Sequence, residues 1–212
     1  MTAPASAVLT ATVLVVNAVY IALLVARVMA SRRSEPAAPD AGRDAGRIAT
    51  RRVAGSQATL AMVLMSLTSA AYYVALLLWF IDPSMVGPVL MAPSMAKFAA
   101  GVVLSSAGLA LMGWSYLVFR SWRWRAEIDP GHQLMDDGPF KMVRHPIYLS
   151  FALFYIGSVF LLPYWIFLLH AVASFIAYDY RARTEEGVLL EAFGDDYRRY
   201  RDRTRRFLPG VY

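Results

Sequence analysis

The chain has 212 residues, 58% of them hydrophobic, with a mean hydropathy of +0.45 and a net charge of +6. Too few polar side chains remain to cover a water-soluble globule of this size, so lipid is part of its solvent. The lack of cysteine excludes disulfides, thiolate metal sites and a cysteine nucleophile, and the basic residues flank hydrophobic runs instead of forming a soluble basic domain, which argues against a nucleic-acid partner.

In chain order, residues 7–30, 58–81 and 95–119 each exceed the roughly 20 apolar residues that carry a helix across a bilayer core. The first run lacks a positively charged segment ahead of it and is too long for a signal-peptide core, so it reads as a retained span. Residues 31–52, rich in Ala, Pro, Gly, Arg and Asp, read as a cytoplasmic loop whose charges are solvated anchors. Residues 82–94 hold three prolines, one acid and no base before Ser94, which suits the outer side. Beyond Phe119 come Arg120, Trp122, Arg123, Trp124 and Arg125, a headgroup-layer composition, and then turn chemistry at Asp129-Pro130-Gly131 and Asp137-Gly138-Pro139.

Two further apolar runs, 147–162 and 164–180, flank Pro163 and are about 16 residues each, or about 24 Å as helix. They predict a short hairpin that barely reaches the outer leaflet, followed by a cytoplasmic or interfacial helix over 184–203. The expected fold is all-α, a polytopic membrane protein with about five membrane helices. Residues 1–127 read as an N-terminal membrane region and 128–212 as a distinct C-terminal region. With the N-terminus outside, 20 of the 21 Lys and Arg residues are cytoplasmic and only Lys97 is not, so the positive-inside rule places the C-terminus inside a plasma or inner membrane. No Gly-x-Gly-x-x-Gly follows a strand-like run, which excludes a Rossmann fold.

Three segments carry chemistry. In Arg144-His145-Pro146, the proline starts a helix and keeps His145 out of helical geometry, which predicts free backbone N–H groups that favour an anion beside two basic side chains, with Tyr148 in the next turn. In the last helix, a wheel drawn from Glu186 puts Leu190, Phe193, Tyr197 and Tyr200 within about 40° of it. Glu186 is then a carboxylate on an apolar face and needs a partner, such as Arg144 or Arg181, with Glu185 at the edge of that face. The third segment is His132-Gln133-Leu134. The isolated intramembrane residues Asn17 and His170 read as packing or hydrogen-bonding groups.

The series His132-x-Leu134, Gly138-Pro139-Phe140, Arg144-His145-Pro146-x-Tyr148, Glu185-Glu186, Phe193-Gly194, Tyr197, Tyr200 and Leu208-Pro209 resembles the isoprenylcysteine carboxyl methyltransferase family, and more broadly the membrane methyltransferases that include phospholipid methyltransferases. Phe140 stands where that family often has tyrosine, and the first 120 residues carry no matching motif.

The resemblance implies an S-adenosylmethionine-dependent methyltransferase whose cofactor sits at the cytoplasmic membrane surface. The implied cofactor-binding residues are His132, Leu134, Gly138, Arg144, His145, Tyr148, Glu185, Glu186, Tyr197 and Tyr200. Arg144, His145 and Glu186 are the implied catalytic residues, and no metal is expected. The cofactor's sulfonium and ammonium suit Glu185 and Glu186, its carboxylate suits Arg144 and His145, and its adenine suits Tyr197, Tyr200 or Phe193. The implied partners are membrane lipid and a lipophilic or prenylated small-molecule acceptor with a carboxylate, thiol or amine. Two rival readings are an NADPH-dependent membrane sterol- or enone-type reductase, which shares an Arg-His-Pro region, and a non-catalytic membrane binding protein.

Overall fold

A computed structural model describes residues 6–33, 56–118 and 134–208. The loop beyond residue 33, the segment 120–125, the turn at 129–131 and His132 lie outside the described residues. Six α-helices make up the rest: α1 Ser6–Arg33, α2 Ser56–Ile81, α3 Met95–Val118, α4 Pro146–Leu161, α5 Trp165–Phe193 and α6 Asp195–Arg203. Among the described residues the fold is all-helical apart from two isolated β-bridges. Ser6–Ala30, Thr59–Ile81 and Met95–Val118 are long and apolar enough to cross a membrane. Three of the five expected membrane helices therefore meet that measure, and α4 is a shorter apolar helix.

Helix α4 stands at the centre. Twelve of its 16 residues are buried, as suits a helix that is apolar on every side. Its main neighbour is α3, which meets it through a stripe of buried residues, Gly101, Ser105, Gly108, Met112 and Ser115, spaced alternately four and three apart. Small residues let the two backbones approach. A Cβ added at Gly108 would lie 2.7 Å from the Ser150 carbonyl oxygen and 2.9 Å from the Phe154 nitrogen, and one at Gly101 would lie 2.9 Å from the Gly157 oxygen. Asn17 and His170 act as hydrogen-bonding residues, Asn17 donating to the Val13 carbonyl at 2.9 Å and His170 Nε2 lying 2.9 Å from that of Thr68.

The C-terminal half adds one contact and changes one expectation. The tip of the α4–α5 hairpin is bonded to the segment joining α2 and α3: Leu90 N–H donates to the Pro163 carbonyl at 2.7 Å and Trp165 N–H to that of Pro88 at 3.3 Å. The hairpin tip therefore meets the connection between α2 and α3. Pro163 ends α4 and leaves a carbonyl that the connecting segment satisfies. The expected division between an apolar run ending at 180 and a helix over 184–203 is absent. No breaker stands between Tyr180 and Thr184, and the pairs Asp179–Arg183 and Arg181–Glu185 reinforce the turn, so α5 continues to Phe193. The break falls at Gly194, whose φ of +51° lies in the region that disfavours residues with a Cβ, and α6 begins after it.

Candidate active site

Pro146 opens α4, and His145 before it is held out of helical geometry (φ −124°, ψ 62°), in keeping with the clash that disfavours the helical region before proline. The backbone just ahead of the helix is tied to the C-terminal segment. Arg144 N–H donates to the Arg205 carbonyl at 2.7 Å and His145 N–H to that of Arg206 at 3.1 Å, with a parallel bridge between Val143 and Arg205. Residues 204–207 thus lie as a strap along the start of α4.

The acidic pair on α5 meets this junction from the other side. Glu186 Oε1 accepts from Arg144 Nε at 2.9 Å and from Arg206 Nε at 3.0 Å, and lies 3.3 Å from His145 Nε2. Its Oε2 accepts from Arg206 Nη2 at 2.8 Å. The partner required for Glu186 is therefore Arg144, joined by Arg206. Arg144 Nη1 also reaches the carbonyls of Thr204 at 2.7 Å and Arg201 at 3.2 Å. Glu185 Oε1 accepts from Tyr148 Oη and Arg181 Nε, both at 2.8 Å, and its Oε2 lies 3.7 Å from His145 Nδ1. His145 thus has a carboxylate beside each ring nitrogen and stacks on Tyr148 with centroids 5.5 Å apart.

Burial of Glu186 would by itself raise its carboxyl, but hydrogen bonds from His145, Arg206 and Arg144 and the charge of His145 outweigh it and hold the group well below the usual carboxylate range. A carboxyl depressed in the folded state stabilises the fold above its unfolded value and loses that contribution as pH falls. We expect the thermal stability of the parent to decline below about pH 4.5, the ordinary value for this group. Melting curves across pH 3–6 should show a weaker decline in Glu186→Gln than in the parent.

A half-open cavity with a volume of about 100 Å³ adjoins these groups. Of the residues expected from sequence, Leu134, Arg144, His145, Tyr148, Glu185, Tyr197 and Tyr200 line it. Glu186 is not in the lining and stands behind Arg144 and His145. Gly138 packs against α3: with φ +56° it turns the chain, and a Cβ there would lie 2.8 Å from Val118 Cγ2. Tyr200 Oη donates to the Phe140 carbonyl at 2.8 Å. Tyr197 is 1% exposed, and its hydroxyl has no hydrogen-bond partner among the described residues. Burial, and then the Glu186 charge, push that hydroxyl upward, so it is a neutral donor.

Sequence reasoning missed Met135, Phe140 and Leu189 in the lining, and Arg206 and Asp179 behind it. Leu189 was within reach, one helical turn after Glu185 on the same face. Arg206 carried no signal apart from its neighbours, since it belongs to a group of eight basic residues of which all but Arg181 read as anchors.

Residues 96–196 match the family model described as phospholipid methyltransferase. A Schizosaccharomyces pombe protein named protein-S-isoprenylcysteine O-methyltransferase is 34% identical over 79 residues, 37% of this chain. That match takes in 34% of the relative, so the chain spans about a third of the length of the curated relative it matches. The Arg144-His145-Pro146 turn and the acidic pair both fall inside the residues that match the phospholipid methyltransferase model, so over this region the chain is similar to membrane methyltransferases.

Proposed function

We propose that the chain is an S-adenosylmethionine-dependent methyltransferase that acts on a lipophilic acceptor at the cytoplasmic membrane surface, with its N-terminus on the opposite side. The observation that carries this reading is the cavity wall itself. A carboxylate on Glu185, the Arg144 and His145 side chains, and a buried donor on Tyr197 without a partner converge on one apolar-walled space, as a ligand that is at once cationic, anionic and aromatic requires. The skew of Lys and Arg toward one end of the bundle supports the orientation.

Bound S-adenosylmethionine supplies an electrophilic methyl carbon. Within the proposal, Glu185 faces the cofactor's positive charge, Arg144 and His145 its carboxylate, and Tyr197 and Tyr200 its adenine, with the Tyr197 hydroxyl as an additional donor. Leu134 and Tyr148 complete the wall, while Glu186 fixes Arg144 and His145 from behind. His132 and Gly138 remain on the proposed list, the first preceding Leu134 and the second setting the turn into Phe140. The cavity's 100 Å³ is smaller than the several hundred Å³ that a ligand of this size fills, so the bound cofactor extends beyond the cavity or displaces a wall.

The site's contribution is alignment and exclusion of water from a transfer that disperses charge. A carboxylate or thiolate acceptor needs no strong base. For an amine, Glu186 is a weak candidate because its ion pairs hold it low, which leaves His145 for proton removal.

Calorimetry on the purified protein tests the reading: S-adenosylhomocysteine should bind and NADPH should not. Failure of the first with the fold intact overturns the proposal, and binding of NADPH alone favours the reductase. Labelled-methyl transfer to extracted lipids, thiols and prenylated small molecules then identifies the acceptor class.

A further inference from the structure

The strap over residues 204–207 does more than border the start of α4. Arg206 inserts its guanidinium along the face of α5 between two carboxylates seven residues apart. It forms a two-point fork on Glu186, at 3.0 and 2.8 Å, and its Nη1 donates to Asp179 Oδ1 at 3.0 Å. Asp179 is in turn held by Arg183 at 2.7 Å. The Arg206 side chain is 14% exposed and Glu186 is 11% exposed, so the fork is shielded from water and salt. Beside it, Phe207 is 1% exposed, with its ring 6.1 Å from that of His145 and 5.5 Å from that of Phe175. The backbone of the same segment accepts the Arg144 and His145 N–H groups.

Glu186 is the common acceptor for Arg144 and His145, both of which line the cavity, whereas Arg206 does not line it. A carboxylate held at both oxygens by a planar guanidinium has a fixed plane; one held by a single donor can rotate about its terminal torsion. We propose that Arg206 is a positioning residue: it fixes the Glu186 carboxylate, and through it the Arg144 and His145 side chains that meet the ligand. This rests on the cofactor reading above and adds to it the strap as the third wall of the site's support. Lysine does not replace arginine here, because it offers charge without the fork.

The test is a double-mutant cycle on S-adenosylhomocysteine affinity, measured by calorimetry on the full chain in nanodiscs, with melting temperature recorded in parallel. Arg206→Gln should weaken binding about tenfold, the effect of losing a charge-assisted pair, and Arg206→Lys should recover part of it. Arg206→Gln combined with Glu186→Gln should bind no more weakly than Glu186→Gln alone, because Arg206 acts through that carboxylate. Affinity unchanged in Arg206→Gln while the melting temperature falls, or single effects that simply add, overturns the positioning role and leaves the cofactor reading intact. A folded parent that does not bind S-adenosylhomocysteine overturns both.

Discussion

Glu186→Gln is expected to weaken S-adenosylhomocysteine binding by more than about tenfold and to lower stability by about 3 kcal/mol. The change preserves the shape of the side chain and removes its charge, so the expectation depends on electrostatics and not on a cavity. In the parent this carboxylate answers two guanidinium groups and an imidazole, and the side chains of Glu186, Arg144 and Arg206 are all at most 14% exposed. Neutralising it leaves two buried cations facing each other across an amide, and the cost of that is at the lower end of the range for a broken buried pair because each cation keeps a second acceptor. Arg144 retains the Thr204 carbonyl and Arg206 retains Asp179. Reversible unfolding in mixed detergent measures the stability term and calorimetry the binding term. A Glu186→Gln protein that binds as tightly as the parent removes Glu186 from the site's support.

The second large effect lies far from the site. Gly157→Val is expected to destabilise the bundle by about 3 kcal/mol or to prevent folding. Gly157 faces the α3 stripe, where an added Cβ would stand 2.7 Å from the Ser105 nitrogen and 2.9 Å from the Gly101 carbonyl oxygen. Backbone atoms cannot rotate away as a side chain can, so the helices must separate along their whole contact. Gly113→Ala on α3 is the matched control. Nothing lies within 4 Å of a Cβ there, and the gain in helix propensity makes that change neutral or stabilising by up to about 1 kcal/mol. Equal losses in both variants would remove close backbone approach as the reason for the stripe.

How far these features were legible in the sequence follows from the range over which each is determined. The three long spans depend only on composition over about 20 residues, and they stand in the structure at nearly the expected bounds. The non-helical His145 and the helix start at Pro146 are set by one residue's ring. The wheel drawn from Glu186 fared differently. It assumed one straight helix through Tyr200, yet Gly194 re-aims the chain, and Glu185 is the acid in the cavity wall while Glu186 lies behind it. Tyr197 and Tyr200 still reach the cavity, but from α6.

The contact at the hairpin tip and the role of the strap were not legible. Both rest on pairings between segments remote in sequence, Leu90 with Pro163 and Arg144 with Arg205, whose own residues show no pattern that demands a partner. The small-residue stripe on α3 was visible as spacing, but its meaning depends on what α4 places opposite it.

The strap also sets an order of events during synthesis. His145 and Arg206 are about sixty residues apart, and at 5–20 residues per second the ribosome needs on the order of 3 to 12 seconds to make the chain between them. Throughout that interval α4 can already lie against α3 in the bilayer, while the Arg144 and His145 N–H groups just ahead of it are satisfied by water. The ligand-binding end of the molecule is therefore completed by nearly the last described residues to be translated. A nascent chain arrested before Thr204 should be an inserted, packed bundle with no competent site.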